Sequence, residues 1–249
     1  MTDPPPVGQG ARLDFNAPLS AARADRFVRD LAERSPRQVI DYGCGWGELL
    51  LRILRAAPRA VGTGVDTHGP DIERAQSAAN ARGLGRRATF VTGPAQELPG
   101  TADLVINIGA YHAFGAVPAA LAELRQRLNP GGVLLFGAEF WEHPPPPDRL
   151  ARMWDGITAD DLMFLPDVVD AAVDAGFRPL RIETVTRGEW EDYESGLAAD
   201  GEDWLLANPD DPEAEELRNR LDAQRAIWLR GHRDLFGFAY LTLGVPVTR

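Results

Sequence analysis

The residues best suited to chemistry in this sequence lie in a glycine-rich stretch that begins at an acid. Asp41 follows a short apolar run, Gly43, Gly45 and Gly47 come after it at alternate positions, and residues 48–54 then have an apolar helical pattern. Glycine tolerates positive φ and leaves no side chain between the backbone and a ligand. The stretch therefore predicts a strand, a tight turn and a helix, with a cradle for an adenosine-type cofactor.

Dinucleotide-binding enzymes would have a glycine at the position that Glu48 occupies. Their fingerprint is G-x-G-x-x-G, and the cofactor pyrophosphate rests on the helix N-terminus. The carboxylate of Glu48 would face those phosphates, so the pattern disfavours a nicotinamide-dependent oxidoreductase. That enzyme, a non-catalytic cofactor-binding scaffold, and a turn that serves only strand-to-helix packing are the open alternatives.

A second acid has the spacing expected for an adenosine site. Asp66 ends the next predicted strand, 25 residues beyond Asp41. An acid in that place, at the carboxyl end of the adjacent strand, can accept hydrogen bonds from both ribose hydroxyls. Alternatively, Asp66 only caps the helix that Pro70 and Asp71 begin.

Three motifs in this order resemble those of class I S-adenosylmethionine-dependent methyltransferases. They are the stretch from Asp41 to Gly47, the Gly-x-x-His of residues 109–112, and the Leu-x-Pro-Gly-Gly of residues 128–132. The resemblance covers residues 36–187 and the closing strand, and departs from the family at Pro94, where an acid is common near the adenine. It implies S-adenosylmethionine as cofactor, S-adenosylhomocysteine as product, and cofactor contacts from Asp41, Gly43, Cys44, Gly45, Gly47, Asp66, Thr67, Ala95, Gln96, Asn107 and Ile108.

Strands that alternate with helices predict a parallel sheet covered on both faces. The expected fold class is α/β, a doubly wound, mostly parallel, seven-stranded sheet of the Rossmann-like methyltransferase type with helical cover insertions. Its last strand, over residues 236–245, is expected to run antiparallel at the sheet edge. We expect one domain over 1–249, with a core of 36–187 and 233–249, cover segments 1–34, 140–165 and 188–232, a fifth strand over 133–137, no regular structure over 140–147, and a helix from 211 to 231.

Methyl transfer from a sulfonium is an in-line displacement for which the cofactor supplies the reactivity. The protein must align the reactants, exclude water and sometimes remove a proton. Tyr111 and His112 follow the fourth strand and are the catalytic candidates beside the methyl. His112 suits a general base because its unperturbed pKa is near neutrality; otherwise it orients substrate or only makes a structural hydrogen bond. Tyr111 either binds substrate or packs in the core.

The predicted cover segments contain aromatic and acidic residues that suggest a substrate pocket. Acids interleaved with aromatics over residues 189–194 could receive an amine-bearing substrate, although a solvated helix face with two apolar anchors fits the same pattern. The expected substrate is a small, partly aromatic or apolar metabolite that is methylated on oxygen or nitrogen. The candidate substrate-binding residues are Phe15, Trp141, Glu142, Trp190 and Tyr193.

Composition limits the other classes of partner. The 26 basic and 37 acidic residues give a net charge of −11, which disfavours nucleic acid and anionic membrane as partners. Cys44 is the single cysteine, so no internal disulfide can form, and the histidines lack metal-ligand spacing. His232 is expected at the surface. We expect a cytoplasmic protein without a membrane span or bound metal, and its oligomeric state stays open.

Overall fold

A seven-stranded sheet forms the centre of the molecule. The structure, a computed structural model, describes residues 4–5 and 10–247, so the predicted cover over 1–3 and 6–9 and the chain end at 248–249 lie outside the described residues. The strands are β1 (Gln38–Tyr42), β2 (Val61–Asp66), β3 (Ala88–Thr92), β4 (Ala102–Ile108), β5 (Leu128–Trp141), β6 (Arg178–Thr184) and β7 (Phe236–Gly244).

The helices pack on both faces of this sheet, which confirms the predicted fold class. Short 3₁₀ turns cover Ala95–Glu97 and Tyr111–Phe114, and a π-helical turn covers Ile227–His232. The α-helices are α1 (Ala21–Ala32), α2 (Glu48–Ala56), α3 (Gly69–Ala81), α4 (Val117–Gln126), α5 (Pro147–Leu150), α6 (Leu165–Asp174), α7 (Arg187–Ala207) and α8 (Ala214–Ala226).

The strand order is β3-β2-β1-β4-β5-β7-β6. The prediction that the last strand lies at the edge is therefore wrong, because β7 is antiparallel to both β5 and β6 and lies between them. Most of β7 is buried, whereas most residues of β6 are exposed or half-buried. An apolar strand such as β7 needs cover on both faces and both edges, and the more polar β6 suits the solvent-exposed edge.

Strand β5 extends beyond its predicted end. Phe140 and Trp141, expected in an irregular segment, pair with Gly237 and Phe236 of β7. The sequence alone did not place β7 beside β5, so it gave no partner for these residues. The predicted irregular structure is retained only after Trp141, and Pro147 already begins the short helix α5.

Local sequence explains where the elements that hold the site begin and end. The side chain of Ser20 accepts a hydrogen bond from the Arg23 amide at the start of α1, as an N-cap residue should. The last helix is shorter than expected, because α8 ends at Ala226 and continues as the π-helical turn. Among the described residues, no helix is both long and apolar enough to cross a membrane.

Candidate active site

The glycine turn after β1 adopts the conformation that its sequence predicts. Gly43, Gly45 and Gly47 have φ values of 78°, 50° and 69°, in the left-handed region that favours glycine. The Gly43 amide donates to the Val65 carbonyl over 2.8 Å and so ties the turn to β2. A Cβ on Gly43 would lie 2.1 Å from the Cβ of Ala110, so this position also requires glycine for space.

A cavity of about 170 Å³ opens beside this turn at the carboxyl ends of β1, β2 and β4. This is the end at which open α/β sheets bind ligands. Its walls come from residues 15–17 and 19, the turn, the two acids at the strand ends, and residues 106 and 108–110. At Gly45 the nearest atom to an added Cβ would be 3.7 Å away, on Asn16, which leaves the backbone open to a ligand.

Asp41 is a buried acid that faces this cavity. Its residue is 4% exposed, and its carboxylate has no hydrogen-bond partner among the described residues. Burial, with a contribution from the charge of Asp66, raises the pKa of Asp41 to about 8. A cationic group of a ligand would favour the charged form, so this side chain suits an amino group.

Asp66 has a structural role and can also bind the ribose of a cofactor. One carboxylate oxygen accepts from the Gly45 amide over 2.8 Å and the other accepts from the His68 amide over 3.0 Å. These bonds fix the glycine turn and the approach to α3. A carboxylate oxygen can accept more than one hydrogen bond, so ribose hydroxyls can still be bound.

Glu48 at the start of α2 is neutralised by arginine. Its carboxylate pairs with Arg52 over 2.7 Å and with Arg82 over 2.6 Å, and it lies in the cavity wall. These ion pairs hold the pKa of Glu48 below its usual range, against the effect of burial. A charged acid in this place is unfavourable for a pyrophosphate. The open turn and the partnerless Asp41 fit an adenosine cofactor with a cationic end.

The remaining predicted cofactor residues divide into two groups. Cys44 and Ile108 line the cavity. Gly47 instead gives room to the ring of Phe90 in β3, from which a Cβ there would lie 2.4 Å away. Outside the cavity wall are Thr67, which is exposed, Ala95, which is buried, Gln96, whose amide donates to the Ala113 carbonyl, and Asn107, whose side chain is buried and donates to the Tyr42 carbonyl over 3.0 Å.

Tyr111 and His112 share the 3₁₀ turn that follows β4. Their ring centroids are 4.1 Å apart. Tyr111 is buried against Phe136, and burial raises its pKa, whereas His112 is exposed. Neither residue lines the 170 Å³ cavity. The predicted catalytic roles of both residues stay predictions.

Glu139 is a half-buried acid, with one buried carboxylate oxygen, that the sequence prediction missed. Ladder partners on parallel strands point to the same face, and Ile108 pairs with Gly137. Alternation along β5 then places Glu139 on the face of Ile106 and Ile108, which line the cavity. Its Oε2 is buried and finds no hydrogen-bond partner within residues 4–5 and 10–247, and burial raises the pKa of Glu139. The sequence analysis missed Glu139 because it predicted that the fifth strand ends at residue 137, whereas β5 continues to Trp141.

The predicted substrate residues are not brought into one pocket. Phe15 lines the 170 Å³ cavity, and Trp141 is 1% exposed and packs in the core, where its indole donates to the Ala159 carbonyl over 2.9 Å. The expectation that Trp141 binds substrate is therefore not supported by its position. Glu142 and Trp190 line a second cavity, and the ring of Tyr193 lies 6.1 Å from that of Trp190.

The second cavity, of about 340 Å³, lies among the ends of β5 and β6, helix α7 and the π-helical turn. His232 lies in its wall and is 9% exposed, so the expected surface position is wrong. Its Nε2 lies 3.2 Å from the carboxylate of Glu194. The π-helical turn points this histidine inward, which a regular helix prediction did not anticipate. The indole nitrogen of Trp190 is buried, and no acceptor for it is found in the part of the chain that the structure describes.

Comparison with known proteins agrees with this geometry. A family model described as a methyltransferase domain matches residues 39–132. The uncharacterized protein YjhP of Escherichia coli is 28% identical over 91% of this chain and 92% of its own length. A demethylmenaquinone methyltransferase of Thermus thermophilus is 37% identical over 54% of this chain, which spans only 59% of that relative.

Among solved structures, a methyltransferase from Geobacter sulfurreducens is similar over nearly the whole chain. It is described as S-adenosylmethionine-dependent and was crystallised with S-adenosyl-L-homocysteine. The TM-score is 0.82 at 25% identity, with 95% of each chain covered. The likeness therefore extends past the matched family model into α7, α8 and β7.

Proposed function

Because this chain belongs to the class I S-adenosylmethionine-dependent methyltransferases, we propose that it methylates an oxygen or nitrogen atom of a small-molecule metabolite. The cofactor, when bound, supplies an electrophilic methyl group on a sulfonium. Asp41 would hold its amino group, and Asp66 its ribose hydroxyls. The single observation that carries the proposal is the buried, partnerless Asp41 beside an open glycine turn.

A small acceptor is supported by the character of the neighbouring cavity. The 340 Å³ cavity has aromatic walls from Trp190, Trp228 and Phe236, and its size suits a metabolite. A net charge of −11 disfavours a polyanion such as nucleic acid. We include in the proposal that the protein acts in the cytoplasm.

Calorimetric titration with S-adenosylmethionine, S-adenosylhomocysteine and the reduced nicotinamides tests the cofactor. We expect micromolar binding of the first two compounds only. Asp66→Ala should weaken that binding, because two hydrogen bonds to ribose are lost, while Asp30→Ala on the exposed side of α1 should not. Absence of binding by both adenosyl compounds, or binding of a nicotinamide, would contradict the site assignment.

Transfer of a labelled methyl group to a panel of amines and phenols tests the reaction. We expect product from at least one class, detected by mass spectrometry. Tight cofactor binding with no methylated product across the panel would instead favour the non-catalytic scaffold. The two measurements therefore separate the cofactor assignment from the reaction.

A further inference from the structure

Glu139 lies next to the cofactor cavity but takes no part in its wall. Gly137 lies two residues before Glu139 on the same face of β5, and it pairs with Ile108, which lines the cavity. Glu139 itself pairs with Phe238 of β7. A Cβ on Gly137 would lie 3.0 Å from Ile108 and 2.9 Å from Phe238. Because Gly137 has no side chain, Ile108 and Phe238 can both pack against this position, next to Glu139.

The carboxyl group of Glu139 has one buried oxygen, Oε2, for which no other described residue provides a hydrogen-bond partner. The ionisable groups that interact with it are His112, Tyr111, Tyr193 and Tyr240. None of them is a lysine or arginine, and burial raises the pKa of Glu139. An unpaired buried carboxyl group is costly, and its retention needs an explanation.

Aromatic side chains stand around this carboxyl group. The rings of Trp190 and Phe238 are 6.2 Å apart and nearly perpendicular. The ring of Tyr193 lies 6.1 Å from that of Trp190, and burial, with contributions from Glu194 and Glu139, raises the pKa of Tyr193 to about 12. Aromatic faces together with a carboxylate bind organic cations. The indole nitrogen of Trp190 also lacks an acceptor among the described residues, so both it and Glu139 Oε2 could form a hydrogen bond with a ligand.

We propose that Glu139 binds the amino group of the methyl acceptor and removes its proton, so that the enzyme is an N-methyltransferase acting on an amine. This rests on the proposed methyl transfer. An ammonium group gives one proton to a Glu139 oxygen and becomes a neutral amine. The nitrogen lone pair then bonds to the methyl carbon, and the carbon–sulfur bond breaks with its electron pair left on sulfur. The proton on Glu139 returns to water.

The raised pKa of Glu139 suits this task. A general base acts best when its pKa lies near the working pH, and burial moves a carboxyl group in that direction. His112 was the base expected from the sequence. It is exposed and interacts with the carboxyl group of Glu139.

The test uses pairs of aryl-alkyl amines and the alcohols with the same carbon skeleton, such as 2-phenylethylamine and 2-phenylethanol. Each is titrated into the full-length protein saturated with S-adenosylhomocysteine, for wild type, Glu139→Gln and the exposed control Glu216→Gln on α8. We expect amines to bind better than their alcohols, and Glu139→Gln to weaken amine binding at least tenfold. Glu216→Gln should match wild type.

Further readouts separate a role in binding from a role in folding. Glu139→Gln keeps the shape of the side chain, so its melting temperature and its affinity for S-adenosylhomocysteine should stay close to wild type. Amine binding by wild type should strengthen as pH rises through the pKa of Glu139, and the Gln variant should lose this dependence. His112→Ala should keep the selectivity for amines.

Three results would overturn the inference: no amine of the panel binds, the alcohols bind as well as the amines, or Glu139→Gln binds amines like wild type. Each of these can occur while S-adenosylhomocysteine still binds. Loss of S-adenosylhomocysteine binding by the wild-type protein would instead overturn the proposed function itself.

Discussion

The 170 Å³ cavity at the glycine turn and the 340 Å³ cavity beyond Trp190 lie at the same end of the sheet. In the first, Asp41 is buried and has no partner among the described residues. In the second, most of the charged groups are paired, as Arg233 is with Glu191 over 2.7 Å and Arg187 with Asp234. The first cavity thus leaves a buried acid for a ligand to neutralise, whereas most charges of the second are already paired and much of its wall is aromatic.

The two cavities also differ in how their walls are built. The first depends on a backbone turn that only glycine can make, with two acids nearby in sequence. The second is assembled from three separate stretches of the chain, residues 142–143, 185–191 and 228–236. A cavity that depends on a backbone turn can be shared across a family. A cavity assembled from side chains of separate stretches can vary with the substrate. Cofactor and acceptor specificity are therefore separable, and the following variants test that separation.

Gly43→Ala should have the largest effect and should act on the first cavity. Its φ of 78° strains an alanine, and the new Cβ would lie 2.1 Å from that of Ala110. Left-handed strain and overpacking together should lower the free energy of unfolding by about 4 kcal/mol. Binding of S-adenosylhomocysteine should fall more than a hundredfold. Thermal melting and calorimetry measure the two effects.

The matched control is Gly69→Ala in the first turn of α3. A Cβ there meets no atom within 4 Å, and alanine favours helix. We expect unchanged or slightly higher stability and unchanged binding. A Gly43→Ala protein that binds the cofactor like wild type would remove the backbone argument for the first cavity.

Glu189→Gln should lower the stability of the protein, because Glu189 anchors helix α7, which forms part of the wall of the second cavity. Arg23 of α1 donates two hydrogen bonds to Glu189 of α7, over 2.8 and 2.7 Å. Both side chains are about nine-tenths buried. Removal of the charge on Glu189 leaves the buried Arg23 guanidinium with Glu183, at 3.2 Å, as its remaining acidic partner, at a cost of about 3 kcal/mol. Since α7 supplies Trp190, acceptor binding should suffer more than cofactor binding.

The pH dependence of this pair has a definite sign. Although burial opposes the shift, hydrogen bonds from Arg23, Thr186 and Ser20 lower the pKa of Glu189 to about 2. A lowered acid pKa stabilises the fold above the unfolded value, and this stabilisation is lost as pH falls from about 4 to 2. Urea unfolding across that range should show the loss in wild type and not in Glu189→Gln.

An exposed arginine provides the control for this measurement. Arg225 pairs with Glu202 and Asp222 on the surface of α7 and α8. Arg225→Ala should cost less than about 1 kcal/mol, because exposed pairs contribute little. If Glu189→Gln cost no more than Arg225→Ala, the pair with Arg23 would not be what anchors α7.

The contrast between the cavities also explains what the sequence could predict. The glycine turn, Asp41 and Asp66 were found because strand periodicity and glycine spacing are local signals. Glu139 was missed because the strand end was set at 137, and the partner that extends β5 to Trp141 lies almost a hundred residues away in β7. His232 was misplaced because its π-helical turn has no sequence signature. Non-local pairing decides such positions.

Asp41 gives the smallest expected effect and the most specific test of the first cavity. With a pKa of about 8, most of the free protein should carry a protonated Asp41 at pH 7. A bound amino cation favours the carboxylate, so binding of S-adenosylhomocysteine should release about one proton. Calorimetry in buffers of different ionisation enthalpy measures that number directly.

The release should disappear in Asp41→Asn and persist in Glu139→Gln, since Glu139 lies outside the cavity wall. It should also fade above pH 9, where Asp41 is already ionised before the ligand arrives. The same linkage predicts that the ligand-free protein loses stability as pH rises from about 4 to 8, because the raised pKa disfavours ionisation in the folded state. Cofactor binding restores that stability by supplying the missing charge. Proton release that is equal in Asp41→Asn and wild type would mean that the carboxyl group of Asp41 is not the one waiting for the ligand, and the contrast between the two cavities would no longer hold.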